Sequence, residues 1–253
     1  MEINDKVIAV WFSCGAASAV AAKRVVERYG ENNTIRIINN PIKEEDEDNQ
    51  RFLKDVEKWL GVHIEKAINP KYPNFSIADT FIRKNGKGYM GGIYGAPCTT
   101  QLKKKARQHW ESENHHDYIV LGFTYDEKHR HERFSKFERS NILPILIDEK
   151  ITKADCYMII QDAGIDLPRI YKMGYPNANC IGCVKASSIT YWNHVRKMHP
   201  DVFKDRAEKS REYGAKLTIY KGKRIYLDEL PPNAIGRPMK TMEVECGIFC
   251  DMK

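Results

Sequence analysis

No stretch of this chain stays apolar for the roughly 20 residues that a membrane-spanning helix needs, so a bilayer-embedded protein is not expected. The opening residues Met1-Glu2-Ile3-Asn4-Asp5-Lys6 are too acidic and too short before Val7 for a secretory signal. There is no internal repeat and no low-complexity tract, which sets aside solenoids and linker-like chains. Acids are scarcer than bases, 34 Asp+Glu against 41 Lys+Arg, for a formal charge of +7. The excess is uneven. Residues 42–58 are acid-rich, whereas 103–107 and 128–139 are basic. A basic surface suits a polyanionic ligand, either a nucleotide or a nucleic acid, although solvated charged faces account for much of such a surplus.

What is present reads as an ordinary soluble chain, with 42% hydrophobic and 30% charged residues. At 253 residues it accommodates one large α/β domain or one domain with an appendage. Val7 to Phe12 is a short apolar run, followed by the small residues of Ser13-Cys14-Gly15-Ala16-Ala17-Ser18 and an Ala-rich helical stretch to about Tyr29. A strand is expected over 34–38, then an amphipathic helix over 47–60 stopped by Gly61, then a weaker strand over 62–68. The order β-α-β-α-β is that of a doubly wound, mainly parallel sheet flanked by helices. Residues 69–97 carry two prolines before Pro97 and five glycines, and read as a long excursion. Helix is expected over 102–110, strands over 118–122 and 142–147, helix over 152–163 and 188–198, and short strand-like pieces beyond Ala215. The expected organisation is a nucleotide-binding α/β core over 1–150 with a helical, cysteine-bearing region over 151–253 packed on the same core as a C-terminal extension.

Five of the seven cysteines fall in three clusters: Cys98, then Cys180 and Cys183, then Cys246 and Cys250. The spacing Cys180-Ile181-Gly182-Cys183 lets a glycine turn point two sulfurs at one metal. In a cytoplasmic, reducing setting such thiols read as metal or redox sites rather than disulfides. Spacing alone fits a [4Fe–4S] cluster, a zinc site, or unrelated buried thiols. Cys14 and Cys156 read as small core residues.

The loop after the first strand, Val10 to Ser18, resembles the PP-loop of the adenine-nucleotide α-hydrolase superfamily, in its phosphoadenosine-phosphosulfate (PAPS) reductase-like branch. Four further segments resemble that branch in order: Pro97-Cys98-Thr99-Thr100-Gln101-Leu102-Lys103; Gly122 through Glu127, Arg130 and Arg133; Asn179 to Lys185, similar to the Cys-x-x-Cys of iron–sulfur members; and Glu245-Cys246-Gly247. The departures are specific. Ala17 stands where ATP-pyrophosphatase members carry Asp, Thr99 follows Cys98 where the iron–sulfur reductases have paired cysteines, and Thr124 replaces an expected Arg.

The resemblance implies an adenine sulfonucleotide as substrate, held by Ser13, Gly15, Ala16, Ser18, Lys103, Glu127, Arg130 and Arg133. It implies Cys246 as nucleophile, with Cys250 able to form a disulfide with it, and a thioredoxin-like thiol donor. Cys98, Cys180 and Cys183 supply three cluster ligands, and Cys246 or Cys250 is open as a fourth. If one iron stays open, as in related cluster-dependent tRNA thiolases, the product is instead a thiolated or otherwise modified nucleic acid. A nucleotide- or cluster-binding module without catalysis is the third reading.

Overall fold

The structure, a computed structural model, describes residues 3–84, 87–91 and 95–239. The chain divides into two compact units, neither continuous in sequence: residues 1–41, 47–67 and 107–172, and residues 42–46, 68–106 and 173–253.

The first unit is an α/β layer structure. Strand β1 (Val7–Phe12) is apolar along its length and buried on both faces from Ile8 onward, as a central parallel strand must be. Helix α1 (Ala16–Tyr29) follows, and Ala19, Ala21, Ala22 and Val25 give it a narrow, fully buried face that lies close to the sheet. Strand β2 (Thr34–Asn39), helix α2 (Asp48–Leu60) and strand β3 (Ile64–Lys66) come next. Helix α2 buries Phe52, Val56 and Leu60 at helical spacing, and Gly61, at φ +65°, ends it in the left-handed region that favours glycine. Helix α3 (Lys105–Glu113) precedes β6 (Tyr118–Val120), so the sheet order is β3-β2-β1-β6, with every pairing parallel. From β1 the chain builds outward through β2 and β3, then returns to the other side of β1. The direction of winding therefore reverses between β1 and β6. Helices α4 (Lys128–Phe137), α5 (Ile145–Asp148), α6 (Lys153–Asp162) and α7 (Arg169–Lys172) complete the unit. Ile145, Leu146, Cys156 and Ile160 join α1 and the sheet in one core.

The expected strand over 142–147 is not formed. Its pairing stops after the bridge between Ile119 and Ile142, where Leu143 donates to the Ile119 carbonyl. Pro144 has no N–H to continue the ladder, and instead it stands at the start of α5.

The second unit holds two antiparallel hairpins and a helix pair. Strands β4 (Ile82–Lys84) and β5 (Lys87–Tyr89) form the first hairpin, inside the glycine-rich excursion. A wide π-type turn, Thr99–Lys104, leads towards α3. Helix α8 (Ile189–Met198) matches expectation. Helix α9 (Pro200–Glu212), a polar segment with only Phe203 and Ala207 as buried apolar side chains, escaped the sequence reading. The pair is joined by Trp192 edge-on to Phe203 at 6.5 Å and by the Arg196 guanidinium 4.2 Å from the Phe203 ring. Strands β7 (Thr218–Tyr220) and β8 (Lys223–Ile225) form the second hairpin. Among the described residues, no helix is long and apolar enough to cross a membrane.

Candidate functional site

In an open α/β sheet, ligands bind outside the carboxyl ends of the strands where the winding reverses. Here that place lies between the loops after β1 and β6. The β1 loop is built from small residues. Cys14 adopts φ +56°, its side chain is buried, and its sulfur accepts an N–H from the Asn39 amide at 3.4 Å. The same amide donates to the Phe12 carbonyl at 2.9 Å, fixing the end of β1. Ser13 and Ser18 face each other with hydroxyls 3.2 Å apart. The Ser18 hydroxyl takes the Ser13 N–H at 3.1 Å and donates to the Gly15 carbonyl at 2.9 Å. Ser18 is thus buried within the turn, whereas Ser13 stays exposed. Gly15 caps α1 without a side-chain hydrogen bond, and no acid occupies the first turn. The positive end of the helix is therefore uncompensated by carboxylate. The Ala16 N–H donates to the Tyr171 hydroxyl at 3.2 Å, and burial pushes that phenol's pKa up.

The β6 loop meets this turn. A Cβ on Gly122 would lie 2.7 Å from the Ser18 nitrogen and 2.9 Å from the Ala17 carbonyl carbon, so only glycine permits the approach. Thr124 then opens a short turn that leads into α4, and Glu127 receives the Thr124 N–H at 3.4 Å. Glu127 also pairs with Arg130, whose guanidinium lies 5.4 Å from the Phe123 ring. Arg133, one turn on, is exposed. Lys103 belongs to the second unit and is buried.

Sequence reasoning missed Lys153. Burial pushes its ammonium below the usual lysine range and the nearby Arg130 charge acts in the same sense, while Glu127 and Cys156 pull the other way. It therefore stands among the groups of the β6 turn, and its N–H donates to Asp126 at 3.0 Å. A signal was available: Lys153 is the first residue of α6, where a positive charge opposes the helix dipole. Cys156, one turn further, is in the core as expected, with its thiol pushed up to about 12 by burial.

The candidate metal thiols Cys98, Cys180 and Cys183 all lie in the second unit, and all are buried. Gly182 gives the Cys-x-x-Cys turn its φ of +68°, and a Cβ there would stand 2.7 Å from Val202 and 3.3 Å from Arg206 of α9. The Arg206 guanidinium, itself buried, donates to the Gly182 carbonyl at 3.3 Å. The Cys183 N–H donates to the Tyr191 hydroxyl at 2.8 Å, and that hydroxyl donates to the Cys180 carbonyl at 3.3 Å. Burial drives the Tyr191 phenol well above its ordinary value.

Both thiol residues line one cavity together with Tyr175, Asn177, Asn179, Tyr191 and Met239. The Tyr175 hydroxyl is buried with no hydrogen-bond partner among the described residues, as fits a wall that faces a polar occupant. The segment before Cys98 approaches the same turn. A Cβ on Gly91 would touch both the Val184 carbonyl oxygen, at 3.0 Å, and the Ala96 side chain, at 3.6 Å.

The structure brings the segments of these three cysteines together but not their donors. Among the described residues no three His, Cys, Asp or Glu side chains are gathered as a metal site. Two thiolates on a rigid turn suit one edge of a thiolate-held metal, and the donor set is incomplete. Cys246 and Cys250, expected as nucleophile, disulfide partner or fourth ligand, lie outside the described residues.

Neither protein-family models nor curated proteins match the chain. Among solved structures, the chain is similar to the U34-tRNA thiolase NcsA from Methanococcus maripaludis with its [4Fe-4S] cluster. Identity is 14%, coverage is 99% of this chain and 82% of that one, and the TM-score is 0.48. A likeness of that degree assigns no activity to this chain.

Proposed function

We propose that the chain is an adenine-nucleotide-binding enzyme that handles sulfur. The observation that carries the nucleotide half is the contact of Gly122 with Ala17 and Ser18, which joins the loops after β1 and β6 where the winding reverses. The acid-free start of α1 suits phosphate or sulfate oxygens, and Arg130 and Lys153 supply positive charge beside the β6 turn. The sulfur half rests on the Cys180–Cys183 turn and on the PAPS reductase-like order of motifs.

In the reductase form, the Cys246 thiolate attacks the sulfur of an adenylated sulfate. The S–O bond to the nucleotide breaks, the nucleotide phosphate leaves with the electron pair, and a thiosulfonate stays on Cys246. A donor thiol then releases sulfite and forms a disulfide, as a thioredoxin-like partner would. In the second form a nucleic acid is the acceptor, which the positive charge of the chain favours. Bound metal at Cys180 and Cys183, with Cys98 and a thiol from 246 or 250 as further ligands, would be a [4Fe–4S] cluster or zinc.

Titration calorimetry with ATP, AMP and adenylyl sulfate tests the nucleotide half, and the expected result is saturable binding of at least one of them. Failure to bind any adenine nucleotide overturns the reading. Anaerobic purification with iron, sulfide and zinc analysis tests the metal. About four irons and four sulfides identify the cluster, one zinc makes the thiols structural, and no metal leaves Cys246 alone to carry the chemistry.

A further inference from the structure

Residues 213–226 hold Lys216, Lys221, Lys223, Arg224 and three tyrosines, and no acid. They form the β7–β8 hairpin and its flanks. Its turn, Lys221-Gly222, has both residues at positive φ (46° and 76°), the conformation of a tight two-residue hairpin connection. All four cations are exposed. Among the described residues none of the four forms an ion pair with a carboxylate, whereas neighbouring charges are neutralised: Arg211 binds Asp228 and Glu229 at 2.9 Å, and Lys209 binds Asp205 at 2.7 Å. Lys221 stands 5.4 Å from the Tyr220 ring. Ile219 is exposed on the strand, paired across from Arg224.

The β4–β5 hairpin lies against the same segment. A Cβ on Gly88 would fall 2.4 Å from the Tyr213 Cα, so the two backbones touch, and Phe81 packs edge-on to Tyr213 at 5.7 Å. In sequence, residues 82–89 carry Arg83, Lys84 and Lys87 and again no acid. The β4–β5 hairpin thus packs at Gly88 against the end of α9, within the same unit as β7–β8.

We infer that the β7–β8 hairpin forms a docking surface for a single-stranded nucleic acid, with Lys216, Lys221, Lys223 and Arg224 on phosphates and the exposed Ile219 against a base. Cations with no carboxylate partner among the described residues, set around an exposed apolar side chain, match a ligand that alternates charged backbone with flat apolar rings. An anionic membrane supplies the first without the second. The inference rests on, and deepens, the nucleic-acid form of the proposed function, because it names the surface that would hold the acceptor.

The test is fluorescence anisotropy of a labelled 20-nucleotide RNA and the matching DNA on the full chain, without added nucleotide, between 50 and 200 mM salt. Flotation with phosphatidylserine vesicles runs alongside. Wild-type protein is expected to bind at least one of the two strands, with affinity falling steeply as salt rises. Replacing Lys221, Lys223 and Arg224 together by Ala should weaken binding at least ~10-fold at low salt and flatten the log–log slope by about 2, from about 0.7 per single-strand phosphate contact. Lys221→Asn, which suits the turn, should give about a third of that slope change, while Lys58→Ala, on α2 of the first unit, leaves it unchanged. Wild-type binding of neither strand, vesicle binding alone, or an unchanged slope in both hairpin variants overturns the inference. Because binding is read without turnover, loss of sulfur chemistry with intact strand binding refutes that chemistry and not this surface.

Discussion

Two glycines mark the places where single atoms decide the geometry. At Gly122 a Cβ would press on the backbone of Ala17 and Ser18, and the backbone of a buried helix start has no room to yield. Gly122→Ala is expected to cost about 1–3 kcal/mol of stability and to weaken adenine-nucleotide binding more than tenfold, read by chemical denaturation and calorimetry on the same preparation. Undiminished nucleotide affinity in a folded variant would separate the loop contact from binding. At Gly182 the constraint is double, a positive φ and contact with Val202 and Arg206. Gly182→Ala is expected to lower metal content at Cys180 and Cys183, measured by elemental analysis against Gly164→Ala. That control shares the positive φ but has open space for its Cβ.

At the scale of elements, helix α6 shows how local sequence positions a distant group. The Thr152 hydroxyl accepts the Asp155 N–H at 3.2 Å, and the Asp155 carboxylate takes the Thr152 N–H at 2.8 Å, a reciprocal cap that starts the helix one residue before Lys153. Thr152→Ala should destabilise by about 1 kcal/mol, seen as a lower Tm, and should loosen Lys153 from the β6 turn. The helix itself was legible in the sequence, expected over 152–163, while its Thr152–Asp155 cap was not singled out there. Helix α9 was not legible, because it buries few apolar residues and takes its place from packing on α8. The segment 142–147 misled, since its apolar residues suit strand and buried helix equally and Pro144 decided between them.

At the scale of the whole molecule, acid should undo the first unit through several carboxylates at once. Hydrogen bonding and charge from Arg51 and Arg169 hold Asp48 below the usual carboxylate value. At Glu65 burial acts upward, but Arg36 and Trp110 outweigh it. Asp117 is lowered by the Val7 N–H. Each has a depressed pKa in the folded state, so its contribution is complete above the unfolded value of about 4 and is lost as pH falls through the folded values. Tm is therefore expected to be level from pH 7 to about 5 and to drop below about 4. Glu65→Gln, which keeps the shape but removes the charge beside Arg36, should flatten part of that drop.

The order of strands and helices through Ile64, the small-residue loop after β1 and the glycine-centred thiol turn were determined by the sequence alone. Apolar periodicity and the steric freedom of small residues are local properties, and they act before the chain is folded. Tertiary structure decided what meets what. It set Gly122 against Ser18 across more than a hundred residues of intervening chain, divided the protein into two units that each draw on separate segments, and packed the β4–β5 hairpin at Gly88 against Tyr213 at the end of α9. None of these follows from local preference, because each depends on which distant surfaces bury one another and which charges are left without a carboxylate when they do.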